Sequence, residues 1–540
     1  AETPSRRAAA VIAPSSAVAT SISTAQRLIF SRLTLISFVA RRQNARPLPA
    51  LASASAVPPV ILRNCPRLPI DAANGVDSLC ANRSKEFIMR DNSWEAKADE
   101  FSLYGFTDLP SVHERGAVVL THGKGPYVYD THGRSYLDAN SGLWNMVAGF
   151  DHPGLIAAAK AQYDRFPGYH AFFGRMSDQT VLLSEKLIEV SPFEKGRVFY
   201  TNSGSEANDT MVKILWFLHG AEGKPQRRKI LTRVNAYHGV TAVSASMTGK
   251  PYNSVFGLPL PGFLHLTCPH YWRFGKPGET EEQFTVRLAA ELEATIIKEG
   301  ADTIAGFFAE PVMGAGGVLP PPKGYFQAVA PILKKYGIPL IADEVICGFG
   351  RTGKTWGCET YDFMPDAIIS SKNITAGFFP MGAVILGPEL ADRVQAASEA
   401  IEEFPHGFTA SGHPVGCAIA LKAIDVVMNE GLADNVNRLS GRLEAGLAEI
   451  AKNPNIGELR GIGYMWALEA VKDRATKTPF DGSLSVSERI ANTCTDMGLI
   501  CRPLGQSIVL CPPFILTEAQ MDEMFEKLDK ALKKVFAEVA

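Results

Sequence analysis

The 540-residue chain has no C-x-x-C pair; its nine cysteines lie scattered at positions 65, 80, 268, 347, 358, 417, 494, 501 and 511. That spacing argues against a disulfide scaffold or a zinc site and fits a reducing compartment. Cys268-Pro269-His270 offers two metal ligands, but nothing nearby completes a set, so no metal is expected. Excess charge of either sign is missing too: 54 Lys+Arg stand against 56 Asp+Glu, with no basic stripe. Nucleic acid is therefore not an expected partner. Leu28 to Val39 is apolar, but it is broken by Arg32 and too short to cross a bilayer. No membrane partner is expected.

The most local deficit is at the N-terminus. From Thr3 to Pro69 there is no Asp, Glu or Lys, yet there are nine arginines among many Ala and Ser. Two readings stay open for residues 1–88. One is a mitochondrial transit peptide, which has this Arg-rich, Ser-rich, acid-poor composition. The other is a non-native leader ahead of a cytoplasmic enzyme that begins at Met89. Either way the segment is expected to be disordered and to carry no chemistry.

At this length the rest should form more than one domain. From about Gly125 short apolar runs alternate with helical patterns, which predicts an α/β fold. Strands are expected at Arg197–Tyr200, Lys229–Val234, Thr303–Ala309, Ile338–Ala342 and Ala367–Ser370. Helices are expected at Glu206–His219 and, as a crossover, Tyr325–Tyr336. Parallel strands joined this way gather their C-terminal loops on one edge, where ligands bind. Thr517 and Gln520 make a capping box for a last helix, with Met521, Met524, Phe525, Leu528, Leu532 and Val535 at helical spacing. The expected organisation is a segment 89–149 packing with a small domain 412–540, and a large domain 150–411.

Gly348-Phe349-Gly350-Arg351-Thr352-Gly353-Lys354-Thr355 satisfies the Walker A pattern and also contains G-x-G-x-x-G. A P-loop nucleoside-triphosphatase is thus a rival reading. Such a loop needs a helix directly after it to face phosphate. Trp356-Gly357-Cys358 and a polar stretch to Pro365 follow instead, and the acidic pair Asp343-Glu344 precedes the loop.

Three other segments combine better. Thr201 to Asn208 joins a strand to a helix, and its Ser203, Gly204 and Ser205 can present a hydroxyl and free amides to a phosphate dianion. Ile341 to Val345 is an apolar strand ending in Asp343 and Glu344, and Ser370-Ser371-Lys372 puts a lysine directly after a buried run. Taken singly, each has a plain default: an N-capped helix, a solvated strand end, an exposed loop lysine.

In this order and spacing, and with Tyr237-His238-Gly239, Glu310-Pro311-Val312, Gly314 to Gly317, His406 to Thr409 and Ser411 to Pro414, they resemble the class III, fold-type I pyridoxal-phosphate (PLP) aminotransferases. The resemblance runs from about Phe101 to the C-terminus, and the Walker-like loop falls where that family has a Gly-Phe-Gly-Arg-Thr-Gly turn. It implies a large, mixed and mostly parallel sheet domain with a smaller α+β domain, and PLP as cofactor. It implies that Lys372 holds PLP as a Schiff base and shuttles a proton, and that Asp343 pairs with the pyridinium nitrogen. Tyr237 and Val345 would flank the ring, and Ser203, Gly204 and Ser205 would take the phosphate. Thr409 would reach that phosphate from the neighbouring subunit, which implies a homodimer with shared sites and leaves a tetramer open. Glu310 would support the Asp343 side and the ring hydroxyl, and His238 would serve the cofactor or packing.

For the substrate, Trp144, Phe172, Phe173 and Arg502 resemble the aromatic wall and mobile arginine of the ω-amino acid and amine:pyruvate branch. An amine or ω-amino acid donor such as GABA or β-alanine, with pyruvate as acceptor, is the expectation. Other PLP chemistry of the same fold remains open: a 2-oxoglutarate-dependent transaminase, a decarboxylase or an aminomutase. For Arg502 the plain alternative is a surface salt bridge, and for Trp144 a core side chain.

Overall fold

A computed structural model describes residues 92–539. The leader reading for residues 1–88 lies outside the described residues. Strands β1 (Leu120–Lys124), β2 (Tyr127–Asp130) and β3 (Ser135–Asp138) form an antiparallel meander near the start. Seven strands then build the central sheet: β4 (Arg197–Thr201), β5 (Lys229–Arg233), β6 (Phe263–Leu266), β7 (Ile304–Ala309), β8 (Leu340–Asp343), β9 (Ala367–Ser370) and β10 (Gly382–Leu386). Their order is β4-β10-β9-β8-β7-β5-β6. All neighbours are parallel except the pairs made by β10, so the sheet is mixed and mostly parallel, as expected.

The inner strands β7, β8, β9 and β10 are buried along their whole length. That is why they read as unbroken apolar runs: helices cover both faces and leave no side to alternate towards water. Two of the seven, β6 and β10, were not expected from sequence. The first is short and half-buried, and the second follows β9 through an irregular segment that carries Lys372. The strand expected at Ile338 begins at Leu340 instead, after Pro339, which has no N–H to give a ladder.

After the sheet come β11 (Ile456–Ile462), β12 (Met465–Ala470), β13 (Leu499–Ile500), β14 (Arg502–Leu504) and β15 (Ser507–Leu510). Strand β13 pairs in parallel with β3, and Leu137, Ala139, Val147 and Ala148 share one apolar core with Leu499, Leu510, Phe514 and Leu528. The early segment thus packs with the C-terminal elements. The final helix, Glu518–Val539, opens on the expected capping box, with Thr517 N–H donating to Gln520 Oε1 at 3.0 Å and Gln520 N–H to Thr517 Oγ1 at 3.3 Å.

The helix Pro414–Asn429 explains how the layers are tied. Val415, Ile419, Ala423 and Val426 face the C-terminal core, whereas Cys417, Ala420 and Ile424 face the helices beside the central sheet. Spacing of three and four residues puts each set on its own stripe. Residues 90–540 accordingly group as one compact unit.

Candidate active site

The central sheet places the chemistry by register. Ala309 pairs with Ala342, and Asp343 pairs with Ile369, so β7, β8 and β9 end side by side on one edge. Asp343 ends β8, while Glu310 follows β7 and Lys372 lies two residues past the end of β9. Tyr237 and His238 follow β5, the next strand along, and the helix Gly204–Ala221 starts just after β4. The C-terminal edge of a parallel sheet is where such loops converge. Here they close on a cavity of about 90 Å³ lined by Gly204, Ser205, Tyr237, His238, Gly239, Glu310, Asp343, Val345, Ile346, Ser371 and Lys372.

Lys372 sits in the floor of this cavity, and desolvation there pulls its amine down to about 8; nearby Asp343 opposes the shift and Arg502 adds to it. A lysine in water keeps its proton to about 10.4, so this one reaches the neutral form near physiological pH. Its backbone lies at φ +38°, a region few non-glycine residues occupy. The turn is held by Ser371 Oγ donating to Met381 O at 2.7 Å and by Asn373 Nδ2 donating to Gly348 O at 2.9 Å. Strain fixed by its surroundings is common where a side chain must be aimed.

The two adjacent acids at the end of β8 part company, because successive strand residues point to opposite faces. Asp343 faces the cavity. Its Oδ2 accepts from His238 Nδ1 at 2.7 Å and Asn208 Nδ2 at 2.9 Å, and its Oδ1 accepts from Val345 N–H at 3.2 Å. His238 Nε2 lies 3.0 Å from Thr232 Oγ1, and its buried ring packs edge-on against Phe308, so it braces Asp343 as well as packing. Glu344 points away and accepts the Gly357 and Cys358 amides at 2.9 and 2.7 Å, its carboxyl raised by burial to about 7. Glu310 is buried, which raises its carboxyl; its oxygens accept from Tyr237 N–H and Gly314 N–H, each at 3.0 Å.

The donor set fits PLP. An amine and a carboxylate face one cavity, with Val345 and Tyr237 along its walls. A Cβ on Gly204 would stand 3.0 Å from Val345 Cγ2, so a side chain there would press on the Val345 wall that glycine leaves clear. The first helix of the site has its Glu206 amide capped by Ser203 Oγ at 3.2 Å, while the Gly204 and Ser205 amides stand ahead of any intrahelical acceptor. Those amides and the helix dipole suit a phosphate dianion. When bound, PLP supplies an electrophilic carbon and an electron sink for amino-group chemistry.

Not every expected residue reaches this cavity. Ser203 Oγ caps the helix by accepting from the Glu206 amide, and Ser203 is not among the residues lining the cavity. Thr409, Phe172 and Phe173 lie elsewhere in this chain; Phe172 packs on Gly407, its ring carbon Cε1 2.6 Å from where a Cβ would be, and Phe173 is 83% exposed. Trp144 is a core side chain, 1% exposed, with Nε1–H donating to Asn140 Oδ1 at 2.5 Å. It backs the site through the cluster it shares with Ile346, against which Tyr237 and Val345 pack, and Arg502 lies with its guanidinium 4.9 Å from the Trp144 ring centre. Asn208 was missed by sequence reasoning; its only signal is a polar residue one helical turn after Gly204.

The Walker-like loop is filled by its own side chains. Phe349 and Arg351 are buried, Arg351 lies 4.7 Å over the Phe514 ring and donates to Pro512 O at 2.6 Å, and Lys354 is exposed. Only a four-residue helix, Gly357–Thr360, follows. The loop ties the site's floor to the C-terminal elements and presents no phosphate cradle.

A second cavity, of about 750 Å³, adjoins the first through Tyr237. Its walls include Phe106, Lys250, Tyr252, Phe274, Leu504 and Arg502.

This fold and this constellation define a PLP-dependent transaminase. The sequence model of the family Aminotransferase class-III matches residues 110–532, and the chain belongs to that family. Among solved structures it is similar to the PMP-bound form of an aminotransferase from Vibrio fluvialis: 83% identity, TM-score 0.83, 84% of this chain and 100% of that one. It is likewise similar to an omega-aminotransferase from Paracoccus denitrificans, with 85% identity and TM-score 0.83 over 83% of this chain and 100% of the other. Among curated proteins it is 44% identical over 418 residues to gamma aminobutyrate transaminase 3, chloroplastic, of Solanum lycopersicum, covering 77% of this chain and 80% of that protein.

Proposed function

We propose that this transaminase takes its amino group from an amine or ω-amino acid, such as GABA, β-alanine or an aliphatic amine, and delivers it to pyruvate. The observation that carries the reading is Arg502. It is half-buried, it forms no ion pair among the described residues, and it stands in an aromatic-lined cavity that opens on Tyr237. An unpaired guanidinium there suits a substrate carboxylate bidentately and can lean on Trp144 when the substrate has none. The Vibrio and Paracoccus relatives at 83 and 85% identity, and the omega-aminotransferase naming of the second, support the same branch.

In this reading Lys372 would hold the cofactor, and its amine would take and return a proton at the substrate carbon bearing nitrogen. Asp343, steadied by His238 and Asn208, would hold negative charge against the cofactor's ring nitrogen. Tyr237 and Val345 would flank the cofactor, Gly204 and Ser205 would take its phosphate, and Glu310 fixes the Tyr237 loop. A donor screen tests the substrate class. With wild-type enzyme and either β-alanine or benzylamine, pyruvate is expected to support turnover at least about tenfold better than 2-oxoglutarate, a gap of about 1.4 kcal/mol. Turnover with 2-oxoglutarate alone would overturn the branch assignment.

We also propose a homodimer with shared sites. Thr409, Phe172 and Phe173 line neither this chain's cofactor cavity nor its larger neighbour, Phe172 and Phe173 pack together, and this placement suits delivery to a neighbouring subunit's site. Mixing inactive Lys372→Ala chains with Thr409→Glu chains tests this. Hybrid dimers should regain up to about a quarter to a half of wild-type activity per chain, because one of their two sites carries neither lesion. No recovery on mixing, with exchange verified by mass, would refute sharing.

For location we favour the cytoplasm, in keeping with seven buried, unpaired cysteines among the described residues. No helix among those residues is long and apolar enough to cross a membrane. N-terminal sequencing of protein from its native source decides between this and mitochondrial import.

A further inference from the structure

Four basic residues line the larger cavity beyond the cofactor site: Lys250, Arg273, Arg460 and Arg502. Two of them are already neutralised. Arg460 Nη1 lies 2.6 Å from Glu469 Oε2 and 2.7 Å from Glu458 Oε2, and Arg273 Nε donates to Glu469 Oε1 at 2.9 Å. Glu469, the one carboxylate on the cavity wall, is thereby spent. Lys250 and Arg502 make no ion pair or side-chain hydrogen bond among the described residues. The cavity therefore holds two uncompensated cations and no free acid.

Lys250 is held there by the backbone. Asn235 N–H donates to Gly249 O at 2.8 Å, and Gly249 N–H donates to Ala236 O at 3.0 Å. A Cβ on Gly249 would lie 2.8 Å from Val234 Cα, so the two segments can touch only through glycine. One pairing thus aims Tyr237 into the cofactor cavity and Lys250 into the substrate cavity. Burial pulls the Lys250 amine below the ordinary lysine value; Glu310 and Cys268 oppose that shift and Arg502 adds to it. Like charges in one partly dry cavity repel, and an anion placed with them relieves the repulsion.

We propose that Lys250 is a second carboxylate contact of the substrate cavity, acting with Arg502 to favour substrates with an anionic tail over neutral amines. This rests on the amine or ω-amino acid reading of the same cavity. Ordinary transamination does not require it, because a neutral amine can rest on the aromatic wall alone. The role is one of specificity: Lys250 touches the tail and not the reacting carbon.

The test uses the PLP-loaded enzyme in single-turnover half-reactions without acceptor, following the cofactor absorbance. The readout is kcat/KM for 4-aminobutyrate divided by kcat/KM for benzylamine, in wild type, Lys250→Met and Lys250→Arg. Removing the positive charge in Lys250→Met should lower the ratio about tenfold, the scale of one charge-assisted hydrogen bond. Lys250→Arg, which keeps the charge, should stay within about threefold of wild type. An unchanged ratio in Lys250→Met would overturn the proposal, and so would an equal fall in Lys250→Arg, since shape alone would then be at work. If wild type turned over neither donor, the substrate reading itself would fail, whatever the two variants did.

Discussion

Lys372→Ala should abolish transamination, with kcat falling by about 10³-fold or more, since it removes both the covalent anchor and the proton carrier. Borohydride treatment of the loaded variant should leave no PLP fixed to protein, and dialysis should strip the cofactor. Lys250 and Lys354 are the informative controls. The first is in the neighbouring cavity, and the second belongs to the Walker-like loop and is exposed. PLP fixed to either in Lys372→Ala at wild-type yield would remove Lys372 from the centre of the site. The wild-type apoprotein carries a matching pH signature. With the amine near 8, the neutral form that attacks an aldehyde is about a tenth of the total at pH 7 and about nine-tenths at pH 9. The rate of PLP capture should therefore climb roughly tenfold from pH 7 and level off above pH 9. An exposed lysine would still be gaining at pH 10.

Asp343→Asn should cost about 10²-fold in kcat while leaving the fold nearly as stable. The carboxylate's charge-assisted bond to a ring nitrogen carries roughly 1.5–3 kcal/mol, which is about ten- to a hundredfold in rate. An amide loses that charge. It also presents donors where Asn208, His238 and Val345 already donate, so its oxygen can satisfy only part of the set. Asp343→Ala should differ in kind. It strands the Asn208 and His238 donors in a buried site, at about 1–3 kcal/mol each. The melting temperature should then fall by several degrees for a chain of this size. The pair separates charge from scaffolding: calorimetry beside steady-state rates should show the asparagine variant slow but stable, and the alanine variant slow and destabilised. An asparagine variant within threefold of wild type would remove the electrostatic role.

Much of the architecture was legible because the physics involved is local. Strands buried on both faces read as apolar runs, and five of the seven central strands were found this way. The last helix announced itself through Thr517 and Gln520. The two missed strands are those whose existence depends on neighbours. Strand β10 is an antiparallel insertion between β4 and β9, and β6 is an edge partner of β5. The site divides in the same way. Lys372, Asp343, Glu310 and Tyr237 sit at strand ends, and order along the chain was enough to bring them together.

What needed the tertiary structure was everything set by which face a side chain takes and by what it meets there. Strand pattern by itself could not separate Asp343 from Glu344, which only the family resemblance told apart; in the structure one turns to the cavity and the other to the Gly357 amides by the alternation of a single strand. Sequence could not rank Trp144, which is core, against Arg502, which stands over it and faces the substrate cavity. Nor could it mark Lys250, whose surplus charge becomes visible only once Glu469 is seen spent on Arg273 and Arg460. By itself the sequence determined the leader's bias, the α/β class, the strand-end chemistry and the resemblance to a PLP aminotransferase, all of which follow from period, order and composition. The tertiary structure decided burial and pairing, and with them which amine is poised near neutrality and which cations remain free, because desolvation and charge compensation depend on neighbours distant along the chain.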